Sequence, residues 1–206
     1  MIPQHLQTLP LVAILRGLTP DEAVAIGEAL FDAGFRCLEV PLNSPDPLRS
    51  IERLADRFGE SMLVGAGTVL TPGAVNDVKA AGGRIIISPN ADPAVIAHAK
   101  AEGLVSLPGV FTPTEAFAAL AAGADGLKLF PAEVAGTAGL KALKAVLPTT
   151  AAVFAVGGVD PESFPAWRQA GAGGFGIGSA LYRPGDSPET VAARAHRFVE
   201  AWSADR

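Results

Sequence analysis

The feature that most constrains the fold is a pattern of punctuation repeated eight times along the chain. Short apolar runs alternate with alanine-rich stretches. The spacing predicts strands at Leu11–Gly17, Cys37–Leu42, Leu63–Val69, Arg84–Asn90, Leu104–Val110, Gly126–Ala132, Ala151–Val159 and Gly173–Leu181. Between them, helix starts are marked by a capping residue followed by proline: Thr19-Pro20, Ser44-Pro45, Thr71-Pro72, Asp92-Pro93, Thr112-Pro113 and Asp160-Pro161. The cap accepts from a free N–H of the first turn, and proline lacks an N–H that would be unpaired there anyway. Gly34, Gly59, Gly82, Gly103, Gly123 and Gly171 fall where a helix needs a left-handed residue to stop. The first five recur every 20 to 25 residues, one strand–helix unit each, and the gap from Gly123 to Gly171 holds a further pair.

Eight such units leave no segment large enough for a second domain. They predict one α/β domain over residues 1–206, a (β/α)8 TIM barrel with a short N-terminal cap in residues 1–10. An open doubly wound sheet is the alternative. At 206 residues the chain is short for a barrel, so its helices and loops must be short too. Aromatic residues make up only 6% of a chain that is 49% apolar, so Ala, Val, Leu and Ile must build the core. That suits parallel strands covered by helices.

A net charge of -5 argues against a nucleic-acid partner. No apolar run is long enough to span a membrane. No Lys or Arg precedes Arg16, so the basic start of a secretory signal is missing. The lone Cys37 cannot form an intrachain disulfide, and a cytoplasmic protein is the expectation. His5, His98 and His196 lie too far apart to suggest a metal site.

Two residues break the strand pattern. Side chains of a barrel strand alternate between the interior and the helix layer. In Gly126-Leu127-Lys128-Leu129-Phe130-Pro131 the two leucines claim the helix layer, which turns Lys128 inward. The other four lysines fall on predicted helices. Burial disfavours the ammonium, and a neutral amine can attack a ketone. In Cys37-Leu38-Glu39-Val40-Pro41-Leu42 the same alternation turns Glu39 inward, as a proton carrier for such chemistry or as the partner in a structural ion pair. The chemistry requires Glu39 to be near Lys128 without being locked to it.

Arg16 closes the first strand at the rim where barrel active sites assemble, and suits a substrate carboxylate or a rim salt bridge. Thr68, after Gly65-Ala66-Gly67, can donate to a carboxylate oxygen or simply cap a turn. Val156-Gly157-Gly158 and Gly176-Ile177-Gly178-Ser179 follow the seventh and eighth strands, where barrels commonly bind phosphate on backbone amides. Glycines needed only for tight turns are the alternative.

The runs Glu39-Val40-Pro41-Leu42-Asn43-Ser44, Gly65-Ala66-Gly67-Thr68-Val69, Lys128-Leu129-Phe130-Pro131, Val156-Gly157-Gly158-Val159 and Gly178-Ser179 resemble the KDPG/KHG aldolase family, in order and over essentially the whole chain. The resemblance implies a metal-free, cofactor-free class I aldolase, a carbon–carbon lyase acting on a phosphorylated keto-deoxy sugar acid and releasing pyruvate. It implies Lys128 as the Schiff-base residue and Glu39 as the general acid/base. Arg16 and Thr68 would hold the pyruvyl carboxylate, and Gly157, Gly158, Gly178 and Ser179 the phosphate. Asn90 and Phe130 would line the site, and the chain would form a homotrimer. Gluconate-specific relatives commonly carry Thr at the position of Val156. That difference, with Pro41–Pro45 and Leu181-Tyr182-Arg183, points to the galactonate epimer, the gluconate epimer being the alternative. Some relatives carry Arg where this chain has Asn43, which shifts carboxylate recognition onto Arg16. Rival readings are a phosphate-binding isomerase or epimerase, and a non-catalytic sugar-phosphate-binding barrel.

Overall fold

The computed structural model describes residues 2–204. Its strands are β1 (Leu11–Ile14), β2 (Cys37–Pro41), β3 (Leu63–Gly67), β4 (Ile85–Ile87), β5 (Val105–Leu107), β6 (Gly109–Val110), β7 (Leu127–Leu129), β8 (Val153–Val156) and β9 (Gly174–Ile177). All pairs are parallel, in the order β5-β4-β3-β2-β1-β9-β8-β7-β6. The segments β5 and β6 are two halves of one barrel strand, parted by Pro108 alone. The first half pairs with β4 and the second with β7, so the chain itself closes a ring of eight strands. The Pro108 carbonyl accepts from the Lys128 backbone N–H at 2.8 Å, which ties the seam to the seventh barrel strand.

The helices are α1 (Gln4–Thr8), α2 (Pro20–Asp32), α3 (Pro47–Phe58), α4 (Pro72–Ala80), α5 (Pro93–Ala101), α6 (Pro113–Ala121), α7 (Ala132–Lys144), α8 (Phe164–Gln169) and α9 (Pro188–Ala204). The start signals act as expected at α4, α5 and α6, where Thr71, Asp92 and Thr112 accept from the N–H groups of Ala74, Ala94 and Glu115. All six predicted stop glycines have positive φ.

Three local expectations are corrected. Ser44-Pro45 does not start α3, which begins at Pro47 after Asp46. Instead the Ser44 Oγ is taken by the Gly17 N–H at 2.9 Å. Ala132 belongs to α7 rather than to the strand before it. Asp160-Pro161 opens a 3-10 turn over Pro161–Ser163, and α8 follows it. The strands are also shorter than predicted: Leu15, Leu42, Val69 and Phe130 each still donate one bond to a neighbouring strand, but the paired ladder stops before them.

Leu38, Val40, Leu127 and Leu129 pack in the cluster between the strand ring and the helices. A separate cluster of Val12, Cys37, Leu63, Ile85, Leu107 and Phe154 fills the lower barrel, and Leu6 of α1 packs into it as a plug. The N-terminal segment thus caps the barrel. Above that hydrocarbon floor the inward positions on β2 and β7 are Glu39 and Lys128.

Gly65 pairs in register with Glu39 on one side and Ile85 on the other. A Cβ there would lie 2.0 Å from the Ile85 carbonyl oxygen, a backbone atom that cannot give way. Gly65→Ala is expected to destabilise the protein by about 1–3 kcal/mol or more. In Gly73→Ala, whose nearest contact would be an ordinary 3.9 Å to Thr71, stability should hold or rise slightly. Urea titration of the two variants checks the contrast.

Candidate active site

The upper end of the barrel opens into a cleft of about 370 Å³, a size typical of small-molecule sites. Its wall includes Arg16, Thr68, Lys128, Phe130, Val156, Gly157, Gly158, Gly178 and Ser179. Glu39 lies just below, in a narrow apolar recess that also reaches Lys128. The structure therefore brings together every residue singled out from the sequence except Asn90, which is exposed and outside the wall. Its neighbour Pro89 lines the cleft instead.

Glu39 and Lys128 are 2% and 8% exposed. On the ring, β2 and β7 stand opposite each other, four barrel strands apart in either direction. Their side chains approach only across the barrel axis, so they interact through space but form no ion pair or hydrogen bond with each other. Desolvation dominates both. It lowers the Lys128 pKa against the pull of the Glu39 carboxylate, and nearby Arg16 pushes in the same direction as burial. It raises Glu39 to about 7, although Lys128, Arg16 and the Gly67 N–H all favour its charged form. One carboxylate oxygen, Oε2, is buried with no hydrogen-bond partner. Gly67 makes room for it, since a Cβ there would fall 1.9 Å from Oε2. Such a pair can offer a neutral amine and a carboxyl group able to take or give a proton near neutral pH.

Thr68 follows β3 with φ 58, a left-handed conformation that strains a β-branched residue. Hydrogen bonds on both sides impose it: Leu42 N–H to the Gly67 carbonyl at 2.9 Å, and Ser88 Oγ–H to the Val69 carbonyl at 2.7 Å. The outcome places Thr68 on the cleft wall. Strain held this firmly points to a positioned functional group.

Sequence reasoning missed two supporting residues. Arg16 Nη1 donates to Asn43 Oδ1 at 2.7 Å, so Asn43 anchors the guanidinium of Arg16. Glu133, in the first turn of α7, lies against the glycine pair, and a Cβ on Gly157 would fall 2.0 Å from its Oε2. The pair is therefore fixed by packing behind the loop as well as by access from the front. No local pattern links residues 133 and 157, so only the fold reveals the contact.

The backbone N–H groups of Gly158, Val159, Ser179 and Ala180 donate to no acceptor among the described residues, yet all four residues line the cleft. Unpaired amides on two loops at one cleft are the kind of donor set that can take an anion. No group of His, Cys, Asp or Glu among the described residues is arranged to hold a metal, and no helix among them is long and apolar enough to cross a membrane.

Residues 2–190 match the family model described as KDPG and KHG aldolase. The 2-dehydro-3-deoxy-6-phosphogalactonate aldolase of Escherichia coli is 51% identical over 94% of this chain and 95% of its own. A solved structure described as native KDPGal superposes with a TM-score of 0.94, at 50% identity and 96% coverage of both chains. The KDPG aldolase of Legionella pneumophila, solved with pyruvate captured as a covalent carbinolamine, gives a TM-score of 0.83 at 28% identity, covering 95% of each chain.

The burial of Glu39 has a signed consequence for stability. Between about pH 4.5, its ordinary value, and about 7, the unfolded carboxyl has lost its proton while the folded one keeps it. Its contribution therefore weakens as pH rises through that window. Glu39→Gln should flatten this fall, so the variant gains on the parent at pH 8 relative to pH 4.5. Thermal melts across that range measure the difference.

Proposed function

The chain belongs to the KDPG and KHG aldolase family, and we propose that it cleaves 2-dehydro-3-deoxy-6-phosphogalactonate to pyruvate and D-glyceraldehyde 3-phosphate. As a member of that family it is an aldolase, a carbon–carbon lyase. The observation that carries the reading is the Lys128 amine, held in a nearly water-free barrel with no acid bonded to it. The carbinolamine of pyruvate in the Legionella pneumophila relative supports the same chemistry.

In this reading Lys128 adds to the C2 ketone as a free amine, and the carbinolamine hydroxyl leaves as water with a proton from solvent, which the final hydrolysis returns, to give an iminium. Glu39 takes the proton of the C4 hydroxyl, on its unpaired Oε2. The C3–C4 bond breaks, its electron pair flows into the iminium, and the aldehyde departs. The enamine left on Lys128 is protonated at C3, and water then hydrolyses the imine to release pyruvate and regenerate the amine. Division into covalent and proton-transfer steps replaces one hard cleavage by easier ones. Arg16, steadied by Asn43, and Thr68 hold the carboxylate. The amides of the two glycine loops hold the phosphate, and binding energy from that unreactive end orients the reacting centre. Val156, buried at the end of β8 and on the cleft wall, meets the C4 region with hydrocarbon and favours the galactonate epimer.

We further propose one catalytic domain per chain, acting in the cytoplasm as a homotrimer. The exposed Leu70, Phe111, Phe117 and Val134 offer apolar surface that an assembly would cover.

Borohydride added with pyruvate should leave a stable adduct, located by peptide mass mapping on Lys128. Lys128→Arg should lose the adduct and reduce turnover by about 10⁴-fold or more. A parent protein without the adduct would sink the reading in favour of an isomerase. Glu39→Gln should retain pyruvate trapping while cleavage slows by about 10²–10⁴-fold.

Assays of the two epimeric substrates side by side test the specificity. Val156→Thr should shift the kcat/KM ratio toward the gluconate epimer, and an unchanged ratio would remove Val156 as its determinant.

A further inference from the structure

We propose that Arg183 is the cationic residue of the phosphate end of the cleft, a binding residue for the substrate's phosphate. The inference deepens the aldolase reading and rests on it. The substrate would bring two anionic groups. Among the described residues, only Arg16 and Lys128 supply positive charge to the main cleft, and in the aldolase reading both are committed to the keto acid. The wall assigned to the phosphate is built from glycines, Ser179 and Ala180, beside Asp160, whose carboxylate accepts from the Ser163 N–H. A phosphate held there by neutral amides alone would be poorly compensated in charge.

Three arginines surround this end, and two are committed. Arg194 pairs with Asp186, at 2.5 and 3.4 Å to its two oxygens, and also reaches the Leu181 carbonyl. Arg197 pairs with Glu162 at 2.8 Å. Arg183 differs. Its Nε donates to the Ser179 carbonyl at 3.0 Å, which keeps the guanidinium on the loop whose amides face the cleft. Neither of its terminal amino groups has a bonded acceptor among the described residues. Asp186, the nearest acid, accepts from the Arg183 backbone N–H, but Arg194 already takes up its charge.

The surroundings agree with an anion-facing role. Arg183 lines an outer trough together with Arg16, Gly178 and Ser179, and those three also line the main cleft. The two spaces adjoin along the loop after β9, with these residues as their shared wall. The Gly178 carbonyl accepts from the Leu181 and Tyr182 N–H groups at 2.8 and 3.1 Å, and the Ser179 carbonyl from Arg183. Both carbonyls are thereby engaged, while the amides of Ser179 and Ala180 stay free to donate. Arg183 thus helps to orient this donor set and adds a full charge, with two further donors, at its edge.

The test compares phosphorylated with unphosphorylated substrate in the full-length chain carrying Arg183→Gln, Arg183→Met or Arg183→Lys. For the phosphorylated keto-deoxy acid, Arg183→Gln and Arg183→Met should lower kcat/KM by about 10- to 100-fold, mainly through KM, as loss of a charge-assisted hydrogen bond predicts. Arg183→Lys should recover part of the loss. For the substrate lacking phosphate, kcat/KM should stay within about twofold, and inhibition by inorganic phosphate should weaken in the Gln and Met variants. An equal loss on both substrates would overturn the proposal, because Arg183 would then serve only to hold the loop. Full activity on the phosphorylated substrate would overturn it as well. Borohydride trapping of pyruvate on Lys128 is read in the same variants. Its failure in the parent sinks the aldolase chemistry, whereas its persistence ties any loss of turnover to Arg183 alone.

Discussion

The chemistry of this protein depends on the cost of placing two ionisable groups in a strand ring that is otherwise filled with hydrocarbon. Water is shut out below by the Phe154 layer and the Leu6 plug, so desolvation is the largest influence on both Glu39 and Lys128. A direct ion pair would relieve that cost and would also freeze the amine in its charged form. Across the ring the two groups form no such pair. Side chains from opposite strands point at each other across the axis, close enough to be felt and too far apart to bond. The recess between them opens beside the larger cleft whose wall Lys128 also joins.

From that centre the cleft divides its labour between two kinds of positive potential. At the keto-acid end the charges are side chains, and Arg16 is steadied by Asn43. At the end proposed for the phosphate the donors are backbone amides, neutral groups on two loops, of which α7 packs against the Gly157-Gly158 loop through Glu133. Amides cost no side-chain entropy on binding and cannot collapse into the empty site.

Much of this was legible in the sequence because strands impose a two-residue rule on burial. Flanking leucines at 127 and 129 decided the direction of Lys128, and Leu38 and Val40 decided that of Glu39. Glycine and proline signals located the helices for a similar reason, since each acts through its own backbone. Features that depend on contact between distant segments were not legible. The Arg16–Asn43 bond, the packing of Glu133 on Gly157 and the use of Ser44 to hold Gly17 all join residues from different loops. Asn90 was expected at the site from the resemblance alone; the strand before it ends at Ile87, and Pro89 lines the wall there.

The break at Pro108 has a consequence for how the barrel tolerates being cut. Everywhere else a strand is bonded to two neighbours along one stretch, but here a single peptide segment passes from one neighbour to the other. Scission of the chain at that point would turn a cylinder into a sheet with two bare margins, each free to recruit strands from other molecules. A circular permutant with new termini at Pro108 would inherit the same liability, whereas termini placed in an outer helix–strand turn would leave the cylinder sealed.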